Sequence, residues 1–126
     1  MGSAINLLVK GKNIKFKLNN TRTASRLETV LPLEANAQKW GNEIYFSIPL
    51  EHQLEQGREI LKAGDIAFWP PGQAFCIFFG KTPASTDQRP RAASPVTVLG
   101  HIADVGDIDK LKEIEQGQII KLKLAP

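Results

Sequence analysis

The alternation of apolar and polar positions divides most of the chain into short strands. Ile14, Phe16 and Leu18 alternate with Lys15 and Lys17, a period of two that places one face in a core and the other in water. The apolar run Ile5–Val9 precedes it across Lys10-Gly11-Lys12-Asn13, so the chain is expected to open with a β-hairpin. Ala24, Leu27, Val30 and Leu31 then recur at helical spacing behind a capping box from Ser25 to Glu28, and Pro32 ends that helix. Leu33, Ala35 and Ala37 share a face of an extended segment. Gly41-Asn42 suits a two-residue hairpin loop. In the strand after it, Ile44, Phe46 and Ile48 face one way and Glu43, Tyr45 and Ser47 the other.

The stretch GDIAFWPPGQAFCIFFG, residues 64–80, is the most apolar. It reads as a strand over Asp65–Trp69, a turn at Pro70-Pro71-Gly72 and a strand over Gln73–Phe79. Ala74–Phe79 is apolar at every position, so that strand needs cover on both faces. Ile66, Phe68 and one face of Ala74–Phe79 are assigned to the interior, with Cys76 a passive member of the packing. Residues 81–94 read as a long loop, Val96–Ile102 as a strand, and Ile108, Leu111 and Ile114 as the stripe of a short helix capped by Asp107. Gln118–Leu124 is the last strand, and the segment 50–61 stays open between irregular chain and a short helix. About eight strands and two short helices predict a mainly β fold, a closed eight-stranded β-barrel with the helices capping its ends.

Composition narrows the picture. A chain of 126 residues, 42% hydrophobic and 23% charged, fits one domain over 1–126. Met1-Gly2-Ser3 reads as a cloning remnant or a disordered tail. No apolar run reaches the roughly 20 residues of a membrane span, and no basic region precedes a signal-like segment, so the expected location is cytoplasmic. One cysteine excludes an internal disulfide and a thiolate metal cluster within the chain. His52 and His101 have no ligand spacing around them, no phosphate loop is legible, and neither metal nor cofactor is expected. The net charge of +3 comes with a run of cations before Glu28: Lys10, Lys12, Lys15, Lys17, Arg22 and Arg26. They read as a solvated hairpin edge. The charge is only mildly basic and the surface aromatic motifs of RNA binders are absent, so a nucleic-acid partner is not expected. Oligomeric state is left open.

The run GDIAFWPPGQAFCIFFGKTP, followed by ASPVTVLGHI and preceded by WGNEIYF, resembles a family of small bacterial and archaeal proteins of cyclophilin-like fold whose activity is not established. The resemblance runs from about Ile5 to Leu124. It implies a closed eight-stranded barrel with a helix at each end. Related barrels occur as domains in biotin-dependent or amide-hydrolysing assemblies, which keeps a metabolic binding role open. The Phe-His-Arg segment of true cyclophilins has no match here, nor has their Phe-Met-Gln-Gly-Gly-Asp-Phe segment, so no catalytic residue carries over.

With a packed interior, a site must lie on an outer face or in a covered cleft. The expected function is a module binding a small molecule or peptide there, with a prolyl cis/trans isomerase as the alternative. The candidate contacts are Glu43 and Tyr45 on the outer parity, Trp69 and Phe75 as apolar walls, and Gln73 as an amide partner. Arg22 at the helix approach and Arg91 in the long loop supply positive charge. An isomerase would need one of those arginines over an apolar pocket.

Overall fold

The computed structural model describes residues 3–126; Met1 and Gly2, most of the expected tail, lie outside the described residues. Ten strands and two helices follow in the order β1 Ala4–Val9, β2 Lys12–Leu18, α1 Arg22–Glu28, β3 Leu33–Asn36, β4 Gln38–Lys39 and β5 Glu43–Ser47. The remainder are β6 Arg58–Ile60, β7 Asp65–Trp69, β8 Ala74–Phe78, β9 Arg91–Ile102, α2 Ile108–Lys112 and β10 Ile119–Leu124. All eight expected strands are present; β4 and β6, of two and three residues, are too short to leave a periodic signal.

The hydrogen-bonded order is β3-β10-β1-β2-β9-β7-β8-β5-β4, with β6 pairing β9 off that path. This corrects the expected closed eight-stranded barrel: the order is an open path. The reason is a strand that changes partner. Leu33–Asn36 pairs with β10, the Ala37 N–H donates to the Gln118 carbonyl, and Gln38–Lys39 then pairs with β5. The two ends of the order are therefore joined through the chain at Ala37 and not by a ladder. Ala37 itself is fully buried, in the same core as Ile5, Phe16, Ile44, Phe68 and Leu122.

The sheet wraps around that core. Even positions of β2 (Ile14, Phe16, Leu18) and of β5 (Ile44, Phe46) enter it, as their alternation predicts. The β1–β2 hairpin lies inside the order, between β10 and β9, so its lysines line an outer face and not an edge. Lys10 pairs with Glu115 and Lys12 with Glu113. Between β2 and β9, Gly100 faces Leu18, and a Cβ there would collide with the Lys17 carbonyl oxygen.

The helices contribute Ala24 and Leu27, and Leu111, to the core. The cap of α1 is Thr21 and not Ser25: its Oγ1 accepts from the Ala24 N–H. A second anchor arrives from the segment before β6. The Glu55 carboxylate accepts from the backbone N–H groups of Arg22 and Thr23 and from the Thr23 hydroxyl. Those bonds lower the Glu55 pKa. Near α2 the side-chain cap is Asp104, which bonds Gly106 N–H in the preceding 3₁₀ turn; Asp107 makes no side-chain cap.

Strand β9 is longer than the sequence indicates. It begins at Arg91, so the expected 81–94 loop is shortened from its C-terminal side. Its second half pairs with β2 and β7, while its first half pairs with β6 across a register shift. That first half overlies the outside of the sheet. Beneath it a second apolar cluster forms from Leu61, Ala67, Ala74, Cys76, Phe78, Ala92 and Val96, with Trp69 and Val98 against it. This is the second cover that β8 requires.

Candidate functional site

The outer cluster is incompletely filled. A cavity of about 170 Å³ is lined by Trp40, Glu43, Tyr45, Trp69, Cys76, Phe78, Ala92, Ala93 and Val96. Its floor is a pair of cross-strand contacts between β5 and β8, where Glu43 stands opposite Phe78 and Tyr45 opposite Cys76. Residues opposite one another share a face, so all four project outward while Ile44 and Phe46 project into the core.

The flanking rings are held in place by the backbone around them. The Gly41-Asn42 loop is closed by Trp40 N–H to the Glu43 carbonyl and Glu43 N–H to the Trp40 carbonyl, which sets Trp40 directly beside Glu43. Gly41 takes φ +61°, the left-handed conformation this turn needs. Across the cavity the Trp69 indole N–H donates to Ser94 Oγ at 2.7 Å, tying β7 to the overlying half of β9. Tyr45 is more than a third exposed and forms the rim.

Glu43 is the unusual member. It is only 6% exposed. Apart from the neighbouring Cys76 thiol, no donor among the described residues meets its carboxyl, and no lysine or arginine lines the cavity. Burial pushes its pKa up to about 7, with the thiol offsetting this slightly. The Cys76 thiol is itself pushed well above its ordinary range, first by burial and then by the carboxyl beside it. It is therefore a poor nucleophile near neutral pH. The thiol also lies 3.8 Å from the Ala74 carbonyl, which accepts from it.

Of the seven residues expected to form a site, the cavity brings together Glu43, Tyr45 and Trp69. Phe75 is corrected. It is fully buried in the main core, its ring 5.3 Å from that of Phe46. Cys76, expected in the interior, is on the outer face instead. Both follow from register: Phe46 and Phe68 each pair with Phe75, and both point inward. The other three lie elsewhere. Arg22 is the exposed first residue of α1, Gln73 donates to Glu51 Oε1, and Arg91 pairs with Glu59 on β6 at 3.0 Å. Ser47 donates to the Gly72 carbonyl outside the cavity.

Trp40, Phe78 and the β9 residues are not among the expected contacts. The pairing Trp69↔Ala74 around Pro70–Gln73 would have fixed the parity of β8, and with it Phe78. No local signal marks Ala92, Ala93 and Val96, because their position depends on β9 folding back over the sheet.

A second cluster of ionisable groups lies away from the cavity. His101 Nδ1 is 2.7 Å from Asp65 Oδ1 beside Lys17, Arg58 and Lys62, in an open surface hollow. Among the described residues no group of three or more His, Cys, Asp or Glu is placed to hold a metal ion. No described helix is long and apolar enough to cross a membrane.

The comparisons place this architecture. The family model described as Cyclophilin-like matches residues 3–123. The chain belongs to that family. It is also similar to the solution structure of the hypothetical protein AF2241 from Archaeoglobus fulgidus, with a TM-score of 0.81 and 30% identity over 98% of this chain and 95% of that one. No curated protein matches. The family and the archaeal structure fix the fold without naming an activity, so the functional reading rests on the cavity.

Proposed function

We propose that this cyclophilin-like protein is a binding module that takes a small molecule in the cavity between β5, β8 and the overlying half of β9. One observation carries the reading: Glu43 is buried among aromatic and apolar walls without a protein counter-charge. Burying an acid in that way costs stability, and a protein that keeps such a group is spending fold stability on something else. A ligand that meets the carboxyl recovers the cost. The cavity is smaller than the roughly 300–1,000 Å³ usual for drug-sized ligands, so it suits a compact molecule or one group of a larger one.

The isomerase alternative requires a guanidinium at an apolar cleft. Arg22 and Arg91 are outside this lining, and Arg91 is engaged by Glu59. The geometry therefore favours binding over isomerisation.

The reading is tested by screening a library of small polar and charged metabolites by ¹⁵N NMR. The reporters are the indole N–H signals of Trp40 and Trp69. Ligands are expected to move both signals, and to stop doing so in Ala93→Trp, where an exposed lining position fills the cavity. Hits that bind Ala93→Trp as well as the wild type would place the site elsewhere.

A further inference from the structure

Building on that reading, we infer that the cavity takes a small organic cation, an alkylated ammonium head group, with Glu43 as its counter-charge and Trp40, Tyr45, Trp69 and Phe78 as its walls. The charge balance of the cavity points this way. Its one carboxylic side chain, Glu43, is buried and no lysine or arginine lines the cavity beside it. The remaining lining is four aromatic residues, two alanines, a valine and Cys76. Aromatic faces attract cations, and do so more strongly where water is excluded. A carboxylate at the floor adds a full charge to that attraction in a site of low polarity. An anion would meet Glu43 repulsively, and a neutral apolar ligand would leave its carboxyl without a partner. The volume matches a head group and little more. A free small molecule is favoured over a lysine side chain because Glu43 is only 6% exposed and, of the four aromatic walls, only Tyr45 is exposed.

The proton balance follows. The ionisable groups facing Glu43 are Tyr45 on β5 and Cys76 on β8; the residues from β7, β9 and the Trp40 turn add no titratable group to the lining. Lys39 and Arg91, the nearest cations on β4 and β9, are outside it. Burial holds the Glu43 carboxyl protonated up to about pH 7. A cation selects the ionised form, so its binding expels a proton and weakens as the pH falls below 7.

The test is calorimetric titration with choline and with 3,3-dimethylbutanol, its neutral isostere with carbon in place of nitrogen. Choline is expected to bind at least tenfold more tightly, to lose affinity by up to about tenfold per pH unit below 7, and to lose at least tenfold in Glu43→Gln. That variant exchanges the acid for a neutral isostere, and its fold is checked by thermal melting. Equal binding of the two compounds, or an unchanged affinity in Glu43→Gln, would overturn the cation while leaving the binding cavity standing. Failure of both compounds to bind would also overturn the cation; the metabolite screen with Ala93→Trp then judges the cavity separately. A short peptide bearing trimethyllysine is the third titrant, and tighter binding of it than of choline would overturn the free small molecule as the source.

Discussion

Glu43 and Glu55 are two carboxyls whose surroundings push them in opposite directions. Glu55 accepts three hydrogen bonds at the start of α1, which lowers its pKa. Its contribution to stability is present above the ordinary carboxylate range and is lost as the pH falls through the folded value. Glu43 behaves the other way. Its folded pKa of about 7 lies above the 4.5 of the unfolded chain. Between those values the unfolded chain has released the proton and the folded one retains it, so stability falls as the pH rises. Each pH unit between the two values weakens the fold by roughly 1.4 kcal/mol, a full drop of about 3 kcal/mol. Glu43→Gln removes the titration. Relative to the wild type, the variant is expected to gain stability progressively from pH 4.5 to 7 and to hold that gain above it, read by urea unfolding at a series of pH values. A difference between the two proteins that does not change with pH would contradict the buried, uncompensated acid.

Between elements, pairing register decides what each residue does. The inward parity of β2, β5 and β7 is legible because each alternates or carries a large apolar residue at every second position. Strand β8 is apolar throughout, so alternation says nothing about which face is which, and Phe75 and Cys76 exchange places relative to expectation. Its pairing with β5 and β7, Phe46↔Phe75 and Phe68↔Phe75, settles it. The charged residues mislead for a related reason. Arg22 and Arg91 carry the right chemistry for a site, yet Arg91 serves to pin β9 to β6. The cap of α1 lies one turn earlier than the Ser25–Glu28 pattern suggests, because Thr21 and the distant Glu55 together satisfy the helix start. Glycine at position 100 is fixed by the same logic of register. Gly100→Ala sets a methyl group against the β2 backbone, where no side chain can yield. It is expected to cost about 3 kcal/mol or more, measured by urea unfolding. A loss below about 1 kcal/mol would mean that β2 and β9 are not paired as closely as described.

The whole molecule is a sheet wrapped around one core, with a second, smaller apolar layer outside it. The first layer explains why the chain folds: most of its large apolar side chains, including Phe16, Phe68 and Phe75, are buried there. The second explains where a ligand could bind. It exists because β9 outruns its partners in the main order and turns its first half over β7 and β8 with β6. The count of long strands and their inward faces can be read from the sequence. The partner exchange at Ala37, which leaves the order open, cannot, since it depends on β10 and β5 arriving from distant parts of the chain. Nor can the cavity, which needs residues from 40 to 96 brought onto one outer face. The proposal that this face is a site turns on the ionisation state of a single carboxyl. The most direct measurement is the ¹³C NMR titration of the Glu43 side-chain carboxyl in the folded protein, with and without choline. The expected midpoint is about 7 for the free protein, moving downward when choline is bound. A midpoint near the 4.5 of an ordinary glutamate, unmoved by choline, would contradict it.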